Sequence, residues 1–334
     1  MVIPPVIAAL PRFALLDGPS PLARLERFSA ALGARSAAEV WIKREDLLPL
    51  AFGGNKLRNL EFLVGAALAD GADSLITSGR RWSNHCRLTA AAGARAGLAV
   101  HLVLTGPPPL PGEEGPNQRL DELLGATIHV TASDDRAERA ALVASIAAAE
   151  GAAGRRPYVV GIGGSGPVGA AGQVLAGLEL ADQLEEARIG AATVVLPSAT
   201  GGTHAGLVTG LALATPPERA VIGLAVAAPS AELRRTVGGL LDALEPLTGI
   251  RVADSSVILE DDQLGAGYGH PTEAATDAAR VLARTEGILV DPIYTAKALA
   301  GLVARVRDGR LTGPVVFWHA GGTPGIFERL PGTP

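Results

Sequence analysis

From Lys56 onward the chain alternates helix-period and strand-period apolar patterns at short, regular intervals. A helix pattern runs from Lys56 to Leu68 and stops at Asp70-Gly71, a strand pattern covers 74–78, a second helix covers 84–96 before Gly97, and a second strand covers 99–104. The succession continues with helix 118–124, strand 127–131 and an alanine-rich helix over 134–150. After a composition break at 151–157 it resumes with strand 158–160 and the apolar runs 194–196, 221–226, 287–290 and 315–317. Such alternation predicts an α/β fold whose mostly parallel sheets carry helices on both faces. The simplest arrangement is two open, twisted sheets, with residues 52–161 forming a small domain inserted into a large one made of 1–51 and 162–334. Ligands in sheets of this kind sit where strands end and helices begin, so the strand-to-helix turns are where chemistry is expected.

Composition narrows the partner. With a net charge of −5, a pI near 5.7 and 4% aromatic residues, the chain has neither the basic footprint nor the stacking platforms of a nucleic-acid binder. No apolar run approaches the roughly 18 residues a membrane span requires, and the amino terminus lacks the charged start and long apolar core of a signal peptide. The single cysteine, Cys86, forms no internal disulfide and is expected to be a small buried residue. A cytoplasmic protein with a small-molecule partner, no membrane or nucleic-acid contact and no metal cluster is expected.

Although 29 residues are basic, only Lys43, Lys56 and Lys297 are lysines. Lys43 ends a strand pattern, where a solvated or paired side chain is expected, and Lys297 lies in a helix pattern that points it to water. Lys56 follows Gly53-Gly54, which permit close backbone approach of a ligand, and Asn55, a favourable N-cap. A helix N-terminus disfavours an ammonium and favours the nucleophilic amine. The plainer reading is an exposed first-turn lysine.

Six further turns carry polar groups or glycines. Ser198-Ala199-Thr200-Gly201-Gly202-Thr203-His204 joins a strand to an apolar helix, a cup of backbone N–H groups suited to a phosphate monoester, and it lacks the lysine of a nucleotide P-loop. Gly161-Ile162-Gly163-Gly164-Ser165-Gly166 fits a dinucleotide fingerprint, but Asp182 and Glu185 fall inside a helix pattern rather than at a second strand end. In Arg80-Arg81-Trp82-Ser83-Asn84-His85, Ser83 and Asn84 can serve a ligand or merely cap the helix, and the two arginines can clamp a carboxylate or face solvent. Tyr268 and Tyr294 lie in polar, turn-rich contexts where a hydroxyl can act as acid or base, and His319-Ala320-Gly321-Gly322 could close over a flat ring. A helix-start lysine, a phosphate cup without a P-loop lysine, and hydroxyl and amide groups at several strand ends together describe a pyridoxal 5'-phosphate site.

At these residues the sequence resembles the D-cysteine desulfhydrase and 1-aminocyclopropane-1-carboxylate deaminase family, within the tryptophan synthase β-like fold (type II) of pyridoxal phosphate enzymes. The likeness runs from about Pro21 to Phe327 and is most specific at Lys43-Arg44-Glu45-Asp46, Phe52-Gly53-Gly54-Asn55-Lys56, Ser83-Asn84-His85, 200–206, 285–294 and 319–324. It implies that Lys56 engages the cofactor aldehyde, that Asn84 meets the ring hydroxyl, and that Thr200, Gly201, Gly202 and Thr203 hold the phosphate. It places Ser83, Tyr268 and Tyr294 around the substrate and implies a homodimer; Ser83, Asn84, His85 and Arg81 are the expected substrate contacts.

The family's deaminases usually carry Gln where His85 stands and Glu where Thr295 stands, so the chain resembles the desulfhydrase-like branch. That branch usually has Thr where Ala320 stands, which leaves Thr295 or a water to face the pyridine nitrogen and the ring largely unprotonated. Arg80-Arg81-Trp82 replaces the usual Ala-x-Gln, and Asn59 a common lysine, so a substrate other than D-cysteine, more anionic or bulkier, is expected. The leading expectation is a lyase that removes the α-proton of a small amino acid and expels a β-substituent, giving ketoacid and ammonia. The alternatives are a β-replacement synthase and a cofactor-binding protein without turnover.

Overall fold

The computed structural model describes residues 2–33, 37–106, 114–133, 135–214 and 220–328. The proline-rich loop expected over 106–112 lies, beyond Gly106, outside these, as does the expected start of the alanine-rich helix at Asp134; that helix runs Arg136–Ala152.

Ten strands fall into two sheets: β1 Leu22–Arg24, β2 Ala38–Arg44, β3 Ser74–Arg80, β4 Ala99–Thr105, β5 Thr127–Thr131, β6 Pro157–Val159, β7 Thr193–Ser198, β8 Val221–Ala225, β9 Ile258–Glu260 and β10 Gly313–His319. The larger has the order β1-β2-β10-β7-β8-β9 and the smaller β5-β4-β3-β6. Every pairing is parallel except β1 with β2. The mostly parallel α/β class follows from the strands' apolar runs: Val194, Val195 and Leu196 are fully buried, as are Val315 to Trp318, because helices cover both sheet faces. The last strand, β10, occupies the middle of the large sheet between β2 and β7.

Three helices join the sheets. Pro167–Glu186 packs against both Lys56–Ala69 and Gly202–Ala214, and small residues bring the axes close. A Cβ on Gly210 would stand 2.2 Å from the carbonyl oxygen of Val174, so only glycine fits. A buried ionic network fastens the same region. Arg58 donates from Nε to Glu45 at 2.6 Å and from Nη2 to Glu179 at 2.8 Å, while Lys43 pairs with Glu179 and donates to the Ser20 carbonyl at 2.6 Å.

The structure corrects several expectations. The run 287–290 is not a strand: Gly287 ends helix Glu273–Glu286 in a left-handed conformation, and His319 Nε2 bonds the Leu289 carbonyl at 2.8 Å, so this apolar run is a connector that buries Val290 and leaves the Leu289 side chain half exposed. The pattern over 21–32 divides into β1 and the helix Glu26–Ala31. Lys43 is paired but not solvated, being fully buried. Lys297 does not point to water; it is fully buried and donates to the carbonyls of Leu264 and Gly267 at 2.8 and 2.9 Å. Among the described residues no helix is long and apolar enough to cross a membrane.

Candidate active site

The carboxyl ends of β3, β7, β8 and β10 converge on a cavity of about 560 Å³, within the range of small-molecule sites. Lys56, Ser83, Asn84, His85, Thr200, Gly201, Thr203, Tyr268, Tyr294 and Thr295 all line it, although they come from segments spread over 56–295 of the chain.

Lys56 is the first residue of its helix. Burial pulls its amine down to about 8, with no charged or hydrogen-bonded neighbour opposing it. Cost of burial therefore favours the neutral amine. Asn55 does not cap the helix as expected: its own backbone is helical and its side chain is used elsewhere. Its Nδ2 donates to Thr203 Oγ1 at 2.8 Å, its N–H to the Ala320 carbonyl at 3.0 Å, and its carbonyl accepts from Gln173 Nε2 at 2.8 Å. The residue before the lysine is thus tied to the phosphate cup, to the loop after β10 and to the central helix. The preceding glycines serve protein rather than ligand approach. A Cβ on Gly53 would stand 2.2 Å from the Asp46 carbonyl oxygen, and one on Gly321 would stand 2.5 Å from Gly54 Cα.

The cup follows β7. Gly201 has a φ of 81°, and Gly202 begins the helix Gly202–Ala214, whose first N–H groups need acceptors. Thr203 accepts from Asn55 and so keeps its own hydroxyl proton to give; Thr200 shares a hydrogen bond with Ser165. Gly202 lies behind the wall against Ser165. The 161–166 segment therefore buttresses the cup with Gly163 and Ser165, and both of these reach the cavity.

After β3, Ser83 caps the helix Asn84–Ala96 by accepting from the Cys86 N–H at 3.2 Å, and it also lines the cavity. Asn84 Oδ1 accepts from Arg87 Nη1 at 3.2 Å, which directs its Nδ2 hydrogens elsewhere. His85 is buried; burial, then the charge of Lys56, pushes it down to about 3. Thr77 Oγ1 gives its proton to the Val160 carbonyl at 2.8 Å, so the proton in its 3.0 Å bond to His85 belongs to His85 Nε2. His85 Nδ1 is left as a bare acceptor with no partner among the described residues. Cys86 is buried, which pushes its thiol up. Arg81 is not brought to the cavity. Arg80 lines the wall, whereas Arg81, one residue past the end of β3, is within electrostatic reach of Glu328; both guanidiniums come near Gly106.

Opposite, Tyr268 and Tyr294 share a hydroxyl–hydroxyl bond, and Trp82 packs against Tyr268 with ring centroids 6.1 Å apart. Burial pushes Tyr268 up to about 12 and Tyr294 well above its ordinary value, so both are phenols at neutral pH. Thr295 Oγ1 gives its proton to Asp291 Oδ2, and the same carboxylate accepts the N–H groups of Ile293, Tyr294 and Thr295 at 2.9, 2.7 and 3.1 Å. Burial raises Asp291 above the usual carboxylate range against the opposing effect of these bonds.

An amine of depressed basicity beside a cup of phosphate donors is the donor set that an aldehyde with a phosphate tail requires. The pattern of the family described as "Pyridoxal-phosphate dependent enzyme" matches residues 13–321. The chain belongs to that family. A D-cysteine desulfhydrase of Salmonella newport (strain SL254) is 40% identical over 330 residues, covering 97% of this chain and 98% of the relative. A solved "ACC deaminase homologue" superposes with a TM-score of 0.88 at 35% identity, covering 96% of this chain and 95% of the other. A solved threonine deaminase, at 20% identity and a TM-score of 0.64 and covering 91% of this chain and 92% of its own, shares the fold. This pyridoxal-phosphate dependent enzyme is thus of type II fold and desulfhydrase-like, and pyridoxal phosphate is its cofactor.

Sequence reasoning missed four groups of this enzyme's site: Asn55 as a tie, Arg87, Asn117 and Asp291. Arg87 is fully buried and holds Asn117 Oδ1 at 2.9 Å and the Gly53 carbonyl at 3.0 Å. Asp291 was marked only by the Asp-Pro that precedes Tyr294.

Proposed function

We propose that this enzyme removes the α-proton of a small amino acid and expels its β-substituent, releasing a ketoacid and ammonia. The observation that carries the reading is the tie between Asn55 and Thr203, which fixes the residue before Lys56 against the phosphate cup, with both Lys56 and the cup lining one cavity. Bound in that cavity, pyridoxal phosphate supplies an aldehyde and an electron-accepting ring. Thr200, Gly201, Gly202 and Thr203 hold the phosphate, Asn84 offers Nδ2 to the ring hydroxyl, and Thr295 faces the ring nitrogen. Ser83 and Asn84 orient the substrate carboxylate, with the bare Nδ1 of His85 as a further acceptor; Arg80 takes the place expected of Arg81.

The proton roles divide by basicity. Lys56, near 8, is matched to accepting an α-proton at neutral pH, whereas Tyr268 and Tyr294 hold their protons and can only donate, for example to a departing group. Segments 1–51 and 162–334 form the cofactor domain and 52–161 the inserted one. The D-cysteine desulfhydrase relatives support a thiol-bearing or similarly activated amino acid as substrate, and the enzyme would act in the cytoplasm as a homodimer.

The test uses purified protein. Its visible colour should bleach with borohydride, and ketoacid should form from members of a panel of D- and L-amino acids with no added nucleophile. Lys56→Ala should be colourless and lose turnover at least about a thousandfold. Ketoacid that appears only when a thiol or amine acceptor is consumed would replace the lyase by a β-replacement synthase, and colour without conversion of any amino acid would leave a binding protein.

A further inference from the structure

One part of the cavity wall enters this reading only through Arg80. Arg80 at the end of β3, and Arg136 and Arg139 in the first turn of helix Arg136–Ala152, all line the cavity. Like charges crowd there: burial, then Arg136 and Arg80, hold the Arg139 guanidinium below its ordinary value. The lining has two carboxylates. Asp291 is saturated by three backbone N–H groups and the Thr295 hydroxyl, and Glu232 meets Arg136 at 3.0 Å where both side chains are largely exposed. Arg139 is partly buried, and its Nε is enclosed with no acceptor among the described residues. Arg80 lies over the Trp82 ring at 5.8 Å. Both Arg80 and Arg139 are within electrostatic reach of Tyr268, and Arg139 of Cys86 in the Ser83–Asn84–His85 turn. The cluster therefore bears on the substrate side of the cavity.

We propose that Arg139, with Arg80 and Arg136, selects amino acids whose β-substituent is itself an acidic oxyanion, such as a phosphate ester or a sulfonated thiol. This rests on the lyase reading for the placement of the amino acid. A partly desolvated guanidinium whose enclosed Nε lacks an acceptor is costly, and a bidentate oxyanion offsets that cost with short, charge-assisted bonds. The same groups favour the reaction, because the leaving group gains charge as it departs. The Cα–H proton passes to a base of the chain, and the Cβ–O or Cβ–S bond breaks with its electron pair going to phosphate or thiosulfate. The 2-aminoacrylate released takes up water to give pyruvate and ammonium, so no oxidant or reductant is needed.

The test compares, on the holoenzyme at low salt, O-phosphoserine with O-acetylserine and S-sulfocysteine with S-methylcysteine, each as both enantiomers. The acidic member of each pair should have a kcat/KM about tenfold higher or more, and that ratio should fall about tenfold in Arg139→Met and with added salt. Equal rates for acidic and neutral substrates, or a ratio unmoved by Arg139→Met, would overturn the proposal. Weakened pyridoxal phosphate binding in Arg139→Met with an unchanged ratio would assign the arginines to the cofactor's phosphate and overturn it as well. Calorimetric affinities of the holoprotein for phosphoserine and serine separate the two readings. Tighter binding of phosphoserine without turnover of any amino acid would sustain the cluster's selectivity and refute the lyase, and turnover confined to neutral amino acids would do the reverse.

Discussion

Burial pulls the amines of both Lys56 and Lys297 down to about 8 from an ordinary 10.5, and this makes the stability of the cofactor-free protein depend on pH. Below about pH 8 both native and unfolded chains carry the protons, and the native state bears the full cost of enclosing them. Between 8 and 10.5 the native chain has shed protons that the unfolded chain keeps, so unfolding becomes harder as pH rises. Urea unfolding at about pH 7 and about pH 9.5 should show this increase, and Lys297→Met should flatten it. Thr295 carries a different prediction. Its hydroxyl proton is already given to Asp291, so no acidic proton is aimed into the cavity from this side, and Ala320 brings none. The nitrogen-15 shift of the bound cofactor should therefore be that of a neutral pyridine, moving to the pyridinium range in Thr295→Glu; a pyridinium in the unaltered enzyme would refute this. Lys56 could be picked out in the sequence because lysines are scarce and glycines precede it. Arg87 and Asn117 could not, because their role is a contact across 30 positions of chain that no local pattern encodes.

Among the elements, Pro167–Glu186 sets the distance between the sheets, and glycine at its crossing with Gly202–Ala214 fixes how close the two helices come. Gly210→Ala should drive a methyl into the Val174 carbonyl and destabilise the protein by about 1–3 kcal/mol, seen as a lowered Tm. Because Gly202–Ala214 also carries the cup, cofactor affinity should fall with it. Helix and strand positions from 56 to 131 were legible in the sequence, since each element there has its own period and its own stop, such as Gly97. The apolar run 287–290 misled because a short connector and a strand can share a composition; only the partner distinguishes them, and here it is the His319 ring rather than a neighbouring strand. The Asn55 cap failed for a similar reason, since Thr203, 148 positions away, takes the amide that a local cap would use.

For the molecule as a whole, the buried network of Lys43, Arg58, Glu45 and Glu179 links the amino-terminal segment, the large sheet and two of the bridging helices. Burial raises the Glu179 carboxyl, but Arg58 and Lys43 outweigh it and hold the group below the usual range. Its contribution is therefore present above the unfolded value of 4.5 and is lost as the pH falls through the lower native one. Glu179→Ala should strand a buried lysine, cost about 3–5 kcal/mol and shallow the acid-unfolding curve, as calorimetry across acidic pH would show. The position of β10 has another consequence. The final strand of the chain fills the centre of the large sheet, and the loop after it supplies the carbonyl that fixes Asn55. A nascent polypeptide still short of residue 313 thus has a gap between β2 and β7, and it can capture its vitamin-derived partner only after the ribosome has passed β10 and the loop that follows it.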